Sequence, residues 1–106
     1  MAIDIAPGLA DRVTDMSIRF CRAGSCHEPL VTLLPAREGA DRVGRVLDSV
    51  LTAAPVETTV QVSISTATPV VSRLTVTPRR IQKGAKCGVD YRAHLHVADD
   101  GSVTQS

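Results

Sequence analysis

The residues best suited to chemistry lie close together near the end of the chain, in residues 87–97, which hold a thiol and two imidazoles. His94 and His96 are two positions apart, so on a β-strand they project from one face about 6.5–7 Å apart. Two imidazoles at that spacing can bind one zinc or copper ion if further ligands join them. The candidate metal ligands are His94, His96, Cys87, Cys26 and His27. The simpler interpretation of the two histidines is a solvated strand face.

The three thiols offer a second kind of chemistry, and their odd number means that all three cannot pair within one chain. Cys21 and Cys26 flank a four-residue turn, so a hairpin would place their Cα atoms about 4.5–5.5 Å apart, which suits a disulfide. In the chain-entropy model that small loop contributes about 2 kcal/mol, whereas a bond between Cys26 and Cys87 contributes about 4 kcal/mol. The long bond is therefore the better structural link and the short bond is the more easily reduced one. Three free thiols are the alternative.

The basic segment before Cys87 allows two further hypotheses. Nearby cations would favour the Cys87 thiolate, and with a histidine as base this would make a thiol-dependent enzyme or a redox subunit. The same cations form a candidate anion-contact loop made of Arg79, Arg80, Lys83 and Lys86. The loop has no interleaved aromatic residues, which favours a solvated connection. None of the common catalytic motifs occurs, so no catalytic residue is assigned.

Length and composition restrict the class of protein. A chain of 106 residues forms one domain, and with Phe20 and Tyr91 as its only aromatic residues its core must be aliphatic. The net charge of +1 gives no reason to expect nucleic acid as a partner. No apolar run reaches the roughly 18 to 20 residues of a membrane span. We therefore expect a protein partner or a homodimer, with no cofactor unless zinc or copper binds.

Alternating patterns predict the strands that position these residues. Residues 17–34 predict a hairpin around the turn at 22–25, and residues 56–76 predict a second hairpin. In the last strand the alternation divides the side chains between two faces. Those expected to face the core are Tyr91, Ala93, Leu95 and Val97, and those expected to face solvent are Arg92, His94 and His96. Residues 1–16 are expected to form an N-terminal arm with one helical turn, and residues 17–106 the domain.

One segment has a different period. Between residues 37 and 54, apolar side chains recur at three- and four-residue steps, which predicts an amphipathic helix. The repeating positions are Ala40, Val43, Leu47, Val50, Leu51 and Ala54. The predicted fold class is thus mainly β (α+β), an antiparallel sheet or sandwich of about five to six strands with one helix.

Part of the pattern resembles a known class of domain. The segment Phe-Cys-x-x-Gly-x-Cys at residues 20–26, the Tyr-x-Ala-x-Leu-x-Val strand and the Asp-Gly-x-Val turn resemble small cysteine-containing, Ig-like β-sandwich domains of bacterial envelope lipoproteins. The resemblance implies a non-enzymatic interaction or accessory module with no catalytic residues to transfer. It implies an extracytoplasmic location for a mature form without its leader, whereas a native start at Met1 would indicate the cytoplasm. The predicted helix has no counterpart in such a sandwich.

Overall fold

The structure is a computed structural model that describes residues 1–46, 52, 54–65, 67–82 and 89–106. Its strands confirm the mainly β fold class with antiparallel sheets. In chain order the elements are β1 (Ala2–Ile5), α1 (Pro7–Ala10), β2 (Val13–Arg22), β3 (Ser25–His27), β4 (Val31–Leu33), β5 (Arg42–Val46), β6 (Val56–Ile64), β7 (Val70–Val76), β8 (Arg79–Gln82), β9 (Val89–Arg92), β10 (His94–Val97) and β11 (Val103–Gln105).

The described strands form two main sheets and a small ribbon. The five-stranded sheet has the order β11-β10-β1-β5-β4, the four-stranded sheet has the order β3-β2-β6-β7, and β8 pairs with β9. Every pairing is antiparallel except that of β1 with β10, which is parallel. A parallel pair needs a long connection between its strands, and here that connection is nearly the whole chain.

One apolar core lies between the two main sheets. Alternate residues of β1 and β10 bury Ile3, Leu95 and Val97 from one side, while β2 and β6 bury Ile18 and Val60 from the other. Most buried side chains in this core are aliphatic, as the composition predicts, and Phe20 is the one buried aromatic residue among those described. The alternation of inward and outward side chains fixes the strand register, because a slip of one residue would expose the core residues.

The N-terminal residues belong to this core, which corrects the expectation that residues 1–16 form an arm. Ala2–Ile5 lies in the middle of the five-stranded sheet, between β10 and β5. The expected helical turn is α1, at Pro7–Ala10, and it buries Leu9 and Ala10. The short alternation Ile3-Asp4-Ile5 carries the strand signal, but four residues are too few to distinguish a strand from an arm by pattern alone.

The helix predicted for residues 37–54 is wrong over its first half. Arg42–Val46 is a strand, with Gly44 and Val46 buried and Val43 and Arg45 exposed. The apolar steps of three and four residues misled because the alternation in β5 passes through a glycine, which contributes no apolar side chain to the pattern. The position suits glycine because the Leu33 side chain packs closely against it, and a Cβ atom on Gly44 would lie 3.2 Å from Cδ2 of Leu33. The predicted helical positions 47–51 and 53 lie outside the described residues.

Arg42 shows why tertiary contacts prevail over the local pattern. As part of a helix it would pair with Glu38 one turn away. In the structure its guanidinium instead donates hydrogen bonds to the carbonyl oxygens of Leu34 (2.7 Å), Ala10 (3.1 Å) and Val13 (2.7 Å). One side chain thereby links β5 to the end of α1, to the start of β2 and to the residue after β4.

Both predicted hairpins are present. In the first, β2 and β3 are joined by Ala23 and Gly24, whose φ values of 51° and 80° match the left-handed conformations of a tight hairpin turn. In the second, β6 pairs with β7, with Val60 and Val62 facing the core. The return strand of the first hairpin is shorter than predicted, because the chain leaves the four-stranded sheet after His27 and enters the other sheet as β4.

The last predicted strand is divided at Ala93 between two sheets. Its first part, β9, pairs with β8 in the ribbon, and its second part, β10, joins the five-stranded sheet. The predicted facing is confirmed for Ala93, Leu95 and Val97, which are buried, and for His94 and His96, which are on the other side. Tyr91, which was expected to face the core, is only half-buried in the ribbon. The predicted turn at residues 99–101 is also present, and β11 follows it.

Candidate functional site

The two histidines of β10 share one carboxylate from β1. The parallel register places Ala2 opposite His94 and Asp4 opposite His96, so that the Asp4 side chain projects from the same outer face as both imidazoles. Nε2 of His94 contacts Oδ1 of Asp4, and Nδ1 of His96 lies 2.6 Å from Oδ2 of Asp4. Because an ionised carboxylate only accepts hydrogen bonds, each of these nitrogens carries the proton.

This cluster is partly open to solvent. The side chains of His94, His96 and Asp4 are 49%, 38% and 20% exposed. The carboxylate is the least exposed of the three because each of its oxygens meets an imidazole of β10 and Val43 of β5 lies on its other side. The cluster is fixed in position by its backbones, since β1 is hydrogen-bonded to β10 on one side and to β5 on the other.

The register also identifies the neighbours of the cluster on this face. Across the five strands, the row through Asp4 contains Val43 on one side, and His96 with Thr104 on the other. Leu34 extends that row beyond Val43, because the Leu34 N–H donates to the Val43 carbonyl oxygen over 2.9 Å. The second row contains Thr32, Arg45, Ala2 and His94. We call these two rows the outer face of the five-stranded sheet.

The outer face combines polar and apolar groups. Val43, next to the carboxylate, is 36% exposed, and Leu34, beyond Val43 in the same row, is 38% exposed. Arg45 and Thr32 are exposed in the second row. The face therefore offers an apolar patch, a cation and a hydrogen-bonded cluster on one rigid surface.

The candidate metal ligands are only partly brought together. His94 and His96 share a face, but their nitrogens meet different oxygens of Asp4, so the carboxylate occupies the space between them. Cys26 and His27 belong to β3 in the other sheet, and Cys26 is bonded to Cys21. No group of three or more His, Cys, Asp or Glu residues suited to hold a metal ion is found within residues 1–46, 52, 54–65, 67–82 and 89–106. Cys87 lies outside the described residues, and zinc or copper binding stays a prediction.

The short disulfide is the one that the structure contains. Cys21 and Cys26 are directly opposite on β2 and β3, their Cα atoms are 4.1 Å apart, and their sulfur atoms are bonded. The bond lies beside an open cavity of about 360 Å³. The cavity is lined by Cys21, Arg22, Ala23, Gly24, Pro55 and Glu57.

The candidate anion-contact loop is described only in part. Arg79 and Arg80 are exposed residues of β8, and Nη2 of Arg79 donates to the Ser106 carbonyl oxygen over 3.3 Å. The ribbon register places Arg79 opposite Arg92. Lys83 and Lys86 lie outside the described residues, so the contribution of the loop to anion binding stays a prediction.

The residue that sequence reasoning missed is Asp4. Its only signal is its position between two isoleucines, which marks an outward polar residue on a short buried strand. Nothing in the sequence indicates that β1 would lie beside β10, because the two strands are about 90 residues apart.

Comparisons with known proteins give no relative. No protein-family model, no curated protein and no solved structure matches this chain. Among the described residues, no helix is long and apolar enough to cross a membrane.

Proposed function

We propose that the chain is a non-enzymatic interaction module that binds another protein through the outer face of the five-stranded sheet. The observation that carries the proposal is the distribution of exposed apolar side chains. Of the five large hydrophobic side chains that are exposed among the described residues, three lie on or beside β4 and β5, namely Leu30, Leu34 and Val43. Exposed apolar side chains that cluster at one place on a small protein are typical of binding surfaces.

The polar groups beside this patch suit a protein partner. Asp4, His94 and His96 form a hydrogen-bonded cluster next to Val43, and Arg45 adds a cation in the neighbouring row. Protein interfaces commonly have an apolar centre with a polar rim that supplies directional contacts. A partner with an apolar anchor for Leu34 and Val43 and with hydrogen-bonding groups at its edge fits this arrangement.

The resemblance of the chain to the cysteine-containing sandwich domains of envelope lipoproteins supports the same class of function. Such domains act as binding or accessory modules, and a rigid sheet is well suited to that role, because it presents side chains at fixed spacings. The sandwich supplies the rigidity and the outer face supplies the chemistry.

Site-specific crosslinking tests the proposal. A photo-crosslinking amino acid placed at Val43 in the full chain should capture one discrete partner in the cells that make the protein. The same amino acid at Val71, an exposed valine of the four-stranded sheet, is the matched control and should capture none. Equal yields from the two positions would contradict binding through the outer face.

A charge-insertion pair tests the same surface independently. Val43→Lys should abolish capture by a crosslinker placed at Thr104, on the far side of the same row, while Val71→Lys should leave it unchanged. Both substitutions are at exposed positions, so the circular dichroism spectra should match that of the parent. If the captured species is a second copy of the chain, light scattering should show a dimer that Val43→Lys converts to a monomer. Capture that survives Val43→Lys would count against the proposal.

A further inference from the structure

The disulfide hairpin is the second place in the described structure where reactive groups meet an open surface. Cys26 is exposed and Cys21 is half-buried, and both lie on the outward side of the four-stranded sheet, because their neighbour Phe20 faces the core. The bond closes a loop of only a few residues, since the two cysteines are five positions apart. We propose that Cys21–Cys26 is a thiol–disulfide exchange site whose substrate is a low-molecular-weight thiol and whose attacked sulfur is that of Cys26.

The position of the hairpin in its sheet decides which sulfur is attacked. A thiolate attacks a disulfide in line, on the side opposite the departing sulfur. In the part of the chain that the structure describes, β3 is the edge strand of its sheet, so the approach to Cys26 comes from open solvent. The approach to Cys21 comes from β6, where Glu57 occupies the opposite register position and its carboxylate repels an incoming thiolate.

The reaction balances with the thiol as its only co-reactant. The incoming thiolate forms a bond to Sγ of Cys26, the bond between Cys26 and Cys21 breaks, and Sγ of Cys21 leaves with the electron pair. A second thiol molecule then attacks the mixed disulfide at the sulfur of the first thiol molecule and releases the Cys26 thiolate. In total, two thiols are oxidised to one disulfide and the protein disulfide is reduced to two thiols.

The fold allows the bond to open without the loss of the sheet. β2 keeps its partner β6 along eight register positions, from Val13 to Cys21, and this pairing does not depend on β3. The apolar side chains that β2 adds to the core, such as Ile18 and Phe20, also stay buried. Reduction therefore changes the hairpin rather than the domain.

The test uses glutathione and the full chain in a Cys87→Ser background, so that only the hairpin sulfurs react. The native protein should be reduced at a rate within about tenfold of the rate for the same protein unfolded in urea, because access to the bond is already open. Circular dichroism should show the same sheet signal before and after reduction. A native rate more than about a hundredfold below the unfolded rate would show a protected structural disulfide and would overturn the proposal.

The attacked sulfur is identified by trapping the intermediate. When the reaction is stopped early with a maleimide, peptide mass spectrometry should find glutathione on Cys26 and the maleimide on Cys21. The opposite distribution, with glutathione on Cys21, would overturn the assignment of the attacked sulfur. Glu57→Gln should raise the share of glutathione found on Cys21, because it removes the carboxylate opposite that residue, whereas Glu38→Gln, at an exposed residue between β4 and β5, should leave the distribution unchanged.

Discussion

Asp4 and His96 occupy opposite positions on the parallel strands β1 and β10, and Nδ1 of His96 donates a hydrogen bond to Oδ2 of Asp4 over 2.6 Å. The same carboxylate also accepts from His94. This relationship joins the N-terminal strand to the penultimate strand of the described structure by side chains as well as by backbone. It also places the polar cluster in the centre of the outer face.

We expect Asp4→Ala to lower the free energy of unfolding by about 1 kcal/mol, because it removes two hydrogen bonds to a charged group that is only partly desolvated. Urea unfolding measures the change. Thr104→Ala, in the same row but on an exposed side chain, is the matched control and should change the free energy of unfolding by less than about 0.5 kcal/mol. Equal effects of the two substitutions would mean that the cluster does not stabilise the β1–β10 pair.

Arg42 should matter more than any other arginine that the structure describes in the five-stranded sheet. Arg42→Ala removes the hydrogen bonds to the carbonyl oxygens of Leu34, Ala10 and Val13, and leaves part of those acceptors without a partner. We expect a loss of about 2 kcal/mol in the free energy of unfolding. Arg45→Ala, on the exposed side of the same strand, should cost less than about 0.5 kcal/mol. Chemical denaturation of both variants checks the difference, and similar losses would contradict the role of Arg42.

Arg42 also shows what the sequence could and could not predict in the fold. The strands in long alternating segments, such as β6 and β10, can be predicted because their period of two extends over several residues. The strand at Arg42–Val46 could not be predicted, because its buried glycine interrupts the apolar alternation and its charged residues also fit the ion pairs of a helix. Its conformation is decided by carbonyl groups that are distant in sequence, and no local pattern encodes these.

The candidate site, too, could be predicted from the sequence only in part. The common face of His94 and His96 follows from local spacing, and the structure contains it. Local spacing also allowed the bond between Cys21 and Cys26, but loop length favoured Cys26 with Cys87 as the structural link, and the structure contains the short bond. The carboxylate of Asp4 could not be predicted, because it reaches the histidines through a parallel pairing with the first strand. Long-range parallel pairings depend on how the whole chain is connected rather than on the residues near the site.

The turn after β10 should make a pH-dependent contribution. The carboxylate of Asp100 accepts hydrogen bonds from Oγ of Ser102 (2.6 Å) and from its backbone N–H (2.9 Å), and these hold the pKa of Asp100 below its ordinary value of 3.8. Because the folded-state pKa is lowered, the contribution to stability is present above pH 3.8 and is lost as the pH falls through the lower folded-state pKa.

Ser102→Ala removes the stronger of these two hydrogen bonds, so the pKa of Asp100 should move back toward 3.8. NMR titration of the Asp100 carboxyl carbon measures the change. Thr104→Ala, two residues further on, should leave the titration unaltered. An Asp100 pKa that is the same in the parent and in Ser102→Ala would contradict the role of the hydroxyl.

Gly101 should be the least replaceable glycine in the turns described. Its φ of +88° is unfavourable for other residues, and a Cβ atom there would lie 2.9 Å from Cγ2 of Val70. Gly101→Ala should therefore cost about 2–4 kcal/mol in thermal or chemical unfolding, the sum of backbone strain and overpacking. Gly39→Ala isolates the backbone part, because Gly39 has a φ of +72° and no atom within 4 Å of the added Cβ, so it should cost only about 1 kcal/mol. Val70→Ala should cost less in the Gly101→Ala background than in the parent, since only there does it also remove the methyl group that the new Cβ would meet. If Val70→Ala costs the same in both backgrounds, the contact with Val70 is not the cause.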